Sequence, residues 1–480
     1  MNQEQIVDNI ILNDLDVKYP GCKEEILRGT SKSSKRLAML SILDDNRRLL
    51  EEYKDLINKE SYCSEYADEV VVLLREYVKV AETEVKEFGE VMTSLDLVED
   101  ILNKFPKEVW SNPNLKWLDP ANGVGTFPSI VIKKLMVGLK EIIEDDCQRY
   151  KHIIENMIYV CEIQPKNMFL FHCGFDREDQ YELNTFFGSY LDDEFDKYKK
   201  EVWGIDEFDV ILGNPPFQKT LETKNKSVDT LWSKFIYKAS TMLSENGILS
   251  MICPDGWCSP TFDIPRKEVS IFKDIFKKNN LTYVATNDVV KPFFKNIGTS
   301  FTYFVLQKSE YNGETIFETN KGIVKVNVQE HNFIPKNIDK ISFSIHEKIL
   351  KNGNKFVFER YRKKDGGMLD DRHPFFTTPK VKFSRGLAKF KVSGDNGTSG
   401  YDVFTYAYHL KDGETIESAL SVLNSKPYYF ILNQKWNQYF TKYIPNEVFK
   451  PILNKIYSDE EIYEYLELTT EEIKYIENNL

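Results

Sequence analysis

Asn214-Pro215-Pro216-Phe217 follows the apolar run 208–212 and sets a carboxamide oxygen, a proline-constrained backbone carbonyl and an aromatic face side by side. Those groups suit one task. Two acceptors take the N–H bonds of a planar amino group, and the ring holds its heterocycle while the nitrogen attacks an electrophile. The same run also makes a plain turn, because the residue before a proline is pushed out of the helical region and asparagine favours turns. The four residues alone do not separate the two readings.

A second element lies upstream. Asp119-Pro120-Ala121-Asn122-Gly123-Val124-Gly125-Thr126-Phe127 follows a strand-like stretch, 116–118, and precedes a helical apolar pattern through Ile130, Val131, Leu135 and Leu139. Strand, glycine turn and helix in that order form a site for a nucleotide-like cofactor. Glycines let the backbone approach a ligand closely, and a helix N-terminus presents free N–H groups. Glu162 closes the next apolar run, 157–161, where a carboxylate offers two oxygens to a ribose diol.

Together these residues resemble the amino-methyltransferases that use S-adenosylmethionine, and specifically the DNA N6-adenine methyltransferases of restriction–modification systems. That family's cofactor motif reads Asp-Pro-Ala-Cys-Gly-x-Gly, with Asn122 here in place of the cysteine. Its catalytic motif, Asn-Pro-Pro followed by Tyr, Phe or Trp, is matched from Asn214 to Phe217. Phe88-Gly89-Glu90-Val91-Met92-Thr93 looks like the segment that closes over the methionine end of the cofactor, with Ser94 where the family often has proline. Lid, cofactor loop, catalytic loop and a long C-terminal region follow the order of the family's gamma group, and the likeness covers residues 88–308.

The resemblance implies an α/β fold with a Rossmann-like S-adenosylmethionine methyltransferase sheet. It places the cofactor against Thr93, Asp119, Pro120, Ala121, Gly123, Gly125, Phe127, Glu162, Ile163, Ser189 and Asn214, with Asp119 holding the amino-acid ammonium. Ser189, in Gly188-Ser189-Tyr190-Leu191, stands where the family usually has the acid that reads the cofactor's adenine. Asn214, Pro215, Pro216 and Phe217 are the implied catalytic residues, gripping an adenine swung out of the duplex, with Lys234 and Asp255 lining its pocket. No metal is implied.

The elements that must position these loops read as three regions. Residues 1–86 repeat apolar side chains at helical spacing and form an expected helical N-terminal extension. Residues 87–310 alternate strand-like runs (116–119, 157–162, 209–212, 247–253, 282–285 and 301–307) with helical ones, notably 232–243, as in a doubly wound sheet. Residues 311–480 turn to short strand-like runs and loops, with a helix-like run over 417–438 and an acidic tail from Tyr457 expected to be amphipathic or frayed. This third region is the expected α+β target-recognition domain.

Net charge points the same way once its distribution is considered. The chain carries −12, yet residues 351–391 hold twelve Lys/Arg against four acids, so this stretch is +8 and the remainder −20. A polyanion docking there is the expectation, with Lys363, Lys364, Arg372, Lys380, Lys382 and Arg385 as contacts to double-stranded DNA. Seven cysteines, an odd number without zinc-type spacing, read as reduced and structural. No apolar run approaches the ~20 residues that span a bilayer, and Met1–Gln5 lacks an export pattern. A cytoplasmic location follows, with a companion restriction endonuclease as a possible partner. Two rival readings stand beside this one. The same catalytic loop serves enzymes that methylate RNA bases or a protein glutamine, and a specificity subunit could retain an inactive methyltransferase fold.

Overall fold

The computed structural model describes residues 93–480 except 177–179, 221–227, 259–269, 295–299, 332–333, 335–337, 351–352, 360–373, 385–391, 402–404 and 433–446. The expected helical extension and the lid residues Phe88 to Met92 lie outside the described residues.

Nine strands build one sheet: β1 (Trp117–Asp119), β2 (Ile158–Glu162), β3 (Asn184–Phe187), β4 (Phe208–Gly213), β7 (Leu243–Pro254), β8 (Asn280–Ala285), β9 (Phe301–Gln307), β10 (Thr315–Thr319) and β11 (Gly322–Val326). A small hairpin, β5 (Gln218–Thr220) with β6 (Val228–Thr230), follows the catalytic motif. The order across the main sheet is β11-β10-β8-β9-β7-β4-β1-β2-β3. From β7 to β3 every pairing is parallel, whereas β9 runs antiparallel between β7 and β8. The central strands are apolar without alternation, every residue of β1 and β2 being buried, because helices cover both faces.

The expected strands form with edges shifted by a few residues, and 301–307 coincides with β9. Three strands were not expected. The short β3 escapes the pattern, and β10 and β11 extend the sheet past residue 310.

Helices join the strands in the expected alternation. They include α1 (Leu95–Leu102), α2 (Thr126–Gly138), α3 (Asp146–Asn156), α4 (Pro165–Phe175), α5 (Asp193–Glu201) and α6 (Trp232–Met242). Helix α1 starts at Ser94, whose hydroxyl accepts from Leu97 N, and buries Leu97, Val98, Ile101 and Leu102. The chain leaves β1 toward β2 and leaves β4 toward β7. A crevice therefore opens between the carboxyl ends of β1 and β4, where doubly wound sheets bind ligands.

A separate apolar cluster, with Phe356, Phe383, Tyr408, Val422 and Tyr428 in it, organises the C-terminal α+β region. Its three-stranded sheet places β13 (Lys380–Ser384) between β14 (Ser393–Asp395) and β15 (Thr405–His409), and β12 (Lys355–Val357) pairs with β16 (Glu447–Phe449). The run expected as one helix over 417–438 divides into Ile416–Leu423 and Lys426–Leu432, the second carrying Pro427 in its first turn where a missing N–H costs nothing. The acidic tail is ordered into Asp459–Tyr465 and Thr470–Asn478. Each opens with a capping box, Ser458 with Glu461 and Thr469 with Glu472.

Two of the expected DNA contacts are corrected here. Lys380 is fully buried, and its ammonium donates to the Phe376 and Thr378 carbonyls and pairs with Asp395 at 3.5 Å. Lys382 pairs with the same carboxylate at 3.0 Å and donates to Ser399. Burial raises the Asp395 carboxyl, but Ser399, the Thr398 N–H, Lys382 and Lys380 together overcome it and hold the group well below the usual carboxylate range. Lys380 neutralises an internal acid and is not available to phosphate, and Lys382, partly exposed, is committed to the same acid. Lys363, Lys364, Arg372 and Arg385 lie outside the described residues. Removing one side of this buried pair, in Lys380→Ala, is expected to cost about 3–5 kcal/mol of unfolding free energy. Urea denaturation showing a change within about 0.5 kcal/mol, the surface value, would refute the internal role.

Candidate active site

The crevice is built where two loops meet. Asp119 ends β1, almost fully buried, and its Oδ1 accepts the Ala121 N–H at 3.0 Å. Across from it β4 ends in Gly213, directly before Asn214. A Cβ on Gly213 would stand 2.7 Å from Asp119 Oδ1, so only glycine lets the catalytic loop lie against the acid. Asp119 Oδ2 is buried with no hydrogen-bond partner among the described residues. Burial pushes the carboxyl up to about 7, against the lowering by the Ala121 N–H.

The glycine loop is pinned from β2. Asn122 N donates to the Cys161 carbonyl at 2.9 Å, and Gly123 N donates to Glu162 Oε2 at 2.7 Å. Gly123 and Gly125 both adopt positive φ (58° and 96°), and a Cβ on Gly125 would strike the rings of Phe175 and Phe171 on α4. Thus Gly123 supplies a left-handed turn and Gly125 a close helix approach, after which α2 begins. Asn122, in the place of the family's cysteine, is buried and donates to the Gly123 carbonyl.

Glu162 ties two loops together. Its Oε1 accepts from Gln164 N, also at 2.7 Å, so the carboxylate holds two loops. Ser189 Oγ accepts from Leu191 N at 3.2 Å and shapes its own turn. Phe127 packs into the apolar cluster beneath the loop, so its ring supports the site rather than lining it. Pro120 is buried and Ala121 half-buried in the same turn. Ile163 is 47% exposed directly after Glu162, an apolar surface at the crevice edge.

The catalytic motif is held from both ends. Asn214 Nδ2 donates to Thr93 Oγ1 at 2.9 Å, which commits the nitrogen end of the amide to the segment before α1. Pro215 is buried and Pro216 half-buried. Phe217 is half-buried, its ring 5.1 Å from that of Phe301 at 39°, and its carbonyl accepts from Leu231 N ahead of α6. Phe301 packs in turn on Phe294 at 4.9 Å. Sequence reasoning missed Phe294 and Phe301, which lie more than 75 residues from the motif they support; no local pattern points to them. Nor does a local pattern point to the bond between the Thr93 hydroxyl and Asn214. Lys234 and Asp255 are both half-buried.

Residues 130–293 match the Eco57I restriction-modification methylase family. The matched stretch contains Glu162, Ser189 and the whole Asn214–Phe217 loop and begins just after the glycine turn. An uncharacterized adenine-specific methylase of Mycoplasma pneumoniae is 26% identical over 302 residues, covering 48% of this chain and 69% of that protein. Among solved structures, the M protein of the type I restriction enzyme EcoKI is 14% identical over 71% of this chain and 82% of its own, with a TM-score of 0.36. The Type IIL restriction–modification enzyme MmeI, solved in complex with DNA, is 11% identical over 79% of this chain and 69% of its own, with a TM-score of 0.45.

Among the described residues, no three His, Cys, Asp or Glu side chains converge as a metal ion would require, and no helix is long and apolar enough to cross a membrane. Cys161, Cys253 and Cys258 are buried and unpaired, their thiols pushed up by burial.

The raised Asp119 carboxyl makes a signed prediction. Its folded value, about 7, exceeds the ordinary 3.8, so this group's stabilising contribution is full below pH 4 and is lost as pH rises to 7. Asp119→Asn is therefore expected to gain stability over the wild type as pH rises from 4 to 8, by up to about 4 kcal/mol. A constant difference between the two unfolding curves across that range would show that Asp119 ionises freely.

Proposed function

We propose that this protein transfers a methyl group from S-adenosylmethionine to the N6 amino group of an adenine swung out of duplex DNA, as the modification activity of a restriction–modification system. The observation that carries the reading is the seat of Asn214, beside buried Asp119 at the switch point of the sheet, with its amide nitrogen taken by Thr93.

The residues present fit the cofactor. A buried carboxylate oxygen on Asp119 lacks a donor, and an ammonium would supply one. Positive-φ glycines leave the loop backbone open to a ligand, the Glu162 carboxylate is of the type that takes a ribose diol, and Ile163 offers an apolar edge to a purine. Bound there, S-adenosylmethionine supplies an electrophilic methyl group on a sulfonium. The protein's own part is orientation and charge stabilisation. Because Thr93 holds the amide nitrogen of Asn214, the amide oxygen is the end presented to a target N–H. The Pro215 carbonyl takes the second N–H, so both acceptors favour the nitrogen as positive charge develops on it. Phe217, backed by Phe301, gives the base a face, and stacking of about 1–3 kcal/mol offsets part of the cost of extrusion.

Duplex DNA is the proposed substrate, docking through the basic residues Lys363, Lys364, Arg372 and Arg385. A companion endonuclease and a cytoplasmic setting complete the reading. In a labelled-methyl assay on duplex DNA, Asn214→Ala is expected to lower transfer by about 10²–10³-fold while calorimetric cofactor affinity stays close to wild type. Undiminished transfer would remove Asn214 from the mechanism. Transfer to RNA or to a protein glutamine with none to DNA would change the substrate class.

A further inference from the structure

Strand β9 reaches both ends of the catalytic tetrapeptide. Phe301 and Tyr303 are two residues apart and so project from the same face of the strand. Phe301 carries the Phe217 ring at 5.1 Å. Tyr303 is fully buried, and its hydroxyl donates to Asp100 Oδ2 on α1 at 2.6 Å. Lys104, just beyond α1, lies 3.3 Å from Asp100 and 3.1 Å from Glu318 on β10, over the Tyr283 ring at 4.8 Å. Tyr283 stacks on Tyr303 at 5.8 Å. The other end of α1 begins at Ser94, and the residue before it, Thr93, accepts from Asn214 at 2.9 Å.

The apolar face of α1 does not by itself fix this arrangement. Leu97, Val98, Ile101 and Leu102 bury surface, but apolar contact is non-directional and tolerates a helix that slides along its axis. Thr93 and Asp100 are seven residues apart, roughly 10 Å of helix rise, so an axial slip at one is transmitted to the other. A slip of about 1 Å would take the Thr93–Asn214 bond beyond hydrogen-bonding range. The short, directional Tyr303–Asp100 bond and the Lys104 bridge are what hold the axial position.

We infer that Tyr303, acting through Asp100 and the rigid helix α1, is a positioning residue that sets the orientation of the Asn214 carboxamide. The inference rests on the reading of Asn214 as the acceptor of the target amine. Strand β9 thereby aligns the base-stacking ring and the amine-binding amide with each other.

The test measures single-turnover methyl transfer to duplex DNA by wild type, Tyr303→Phe, Asp100→Ala, Asp100→Asn, Thr93→Val and the Tyr303→Phe/Thr93→Val double variant. Tyr303→Phe and Asp100→Ala are each expected to slow transfer about tenfold, the ratio carried by one ordinary hydrogen bond, with DNA and cofactor affinities nearly unchanged. Asp100→Asn keeps an acceptor for the hydroxyl and is expected to retain most of the rate. The double variant should be no slower than Thr93→Val, because both changes break one chain of contacts. Asp100 is about one-third exposed, so Asp100→Ala carries the test should Tyr303→Phe unfold. Wild-type rates in the two single variants, or additive losses of about a hundredfold in the double variant, would overturn the inference and leave the function standing. Absence of DNA methylation by the wild type would remove the Asn214 reading, and this inference with it.

Discussion

The site depends on the contact between Gly213 and Asp119. A side chain on Gly213 would overlap the carboxylate, so the loop that carries Asn214 reaches the acid only because that position has no Cβ. Asp119 is buried, and burial pushes its carboxyl up to about 7 where an exposed one would be ionised from pH 4 upward. The loop that carries Asn214 and the Asp119 carboxyl are therefore coupled through one packing constraint at the switch point between β1 and β4. Glu162 adds the third strand end by holding Gly123, so β1, β2 and β4 converge on one crevice.

Several charged groups buried in the C-terminal region are paired. Lys450 bridges Glu414 and Tyr408 in the C-terminal core, and Glu472 takes donors from Lys348 and Ser344 while capping its own helix. Burial raises Glu414, yet the Lys411 N–H, Lys450 and Tyr408 overcome it and hold the carboxyl below its ordinary range. These networks explain why an acidic tail with little hydrophobic content packs as two helices: its acids serve as caps and counter-ions.

Much of this was legible in the sequence. The two loops were located by residue type alone, since Asn-Pro-Pro-Phe and Asp-Pro-Ala-Asn-Gly-Val-Gly each demand a particular backbone at a strand end. The central strands followed from their apolar runs. Strand direction was not legible, because the antiparallel β9 differs from its neighbours in pairing and not in composition. Strand β3, Asn184–Phe187, is too short for a period, and β11 is largely exposed and lacks one. Lys380 and Lys382 were misread because a charge count carries no information on burial. Their partner, Asp395, ends β14 thirteen to fifteen residues later, and only the folded sheet brings them together. Thr93 and Phe301 likewise act on the catalytic loop across sequence separations that no local pattern spans.

The account's central claim is that buried Asp119 is the anchor for a cationic group of the cofactor, and proton bookkeeping tests it most directly. Calorimetry of S-adenosylmethionine binding at pH 6, in buffers of different ionisation enthalpy, should report release of close to one proton per cofactor, falling toward zero by pH 8. That is the result of a carboxyl titrating near 7 being forced to ionise beside an ammonium. Binding with no proton released at pH 6 would contradict it.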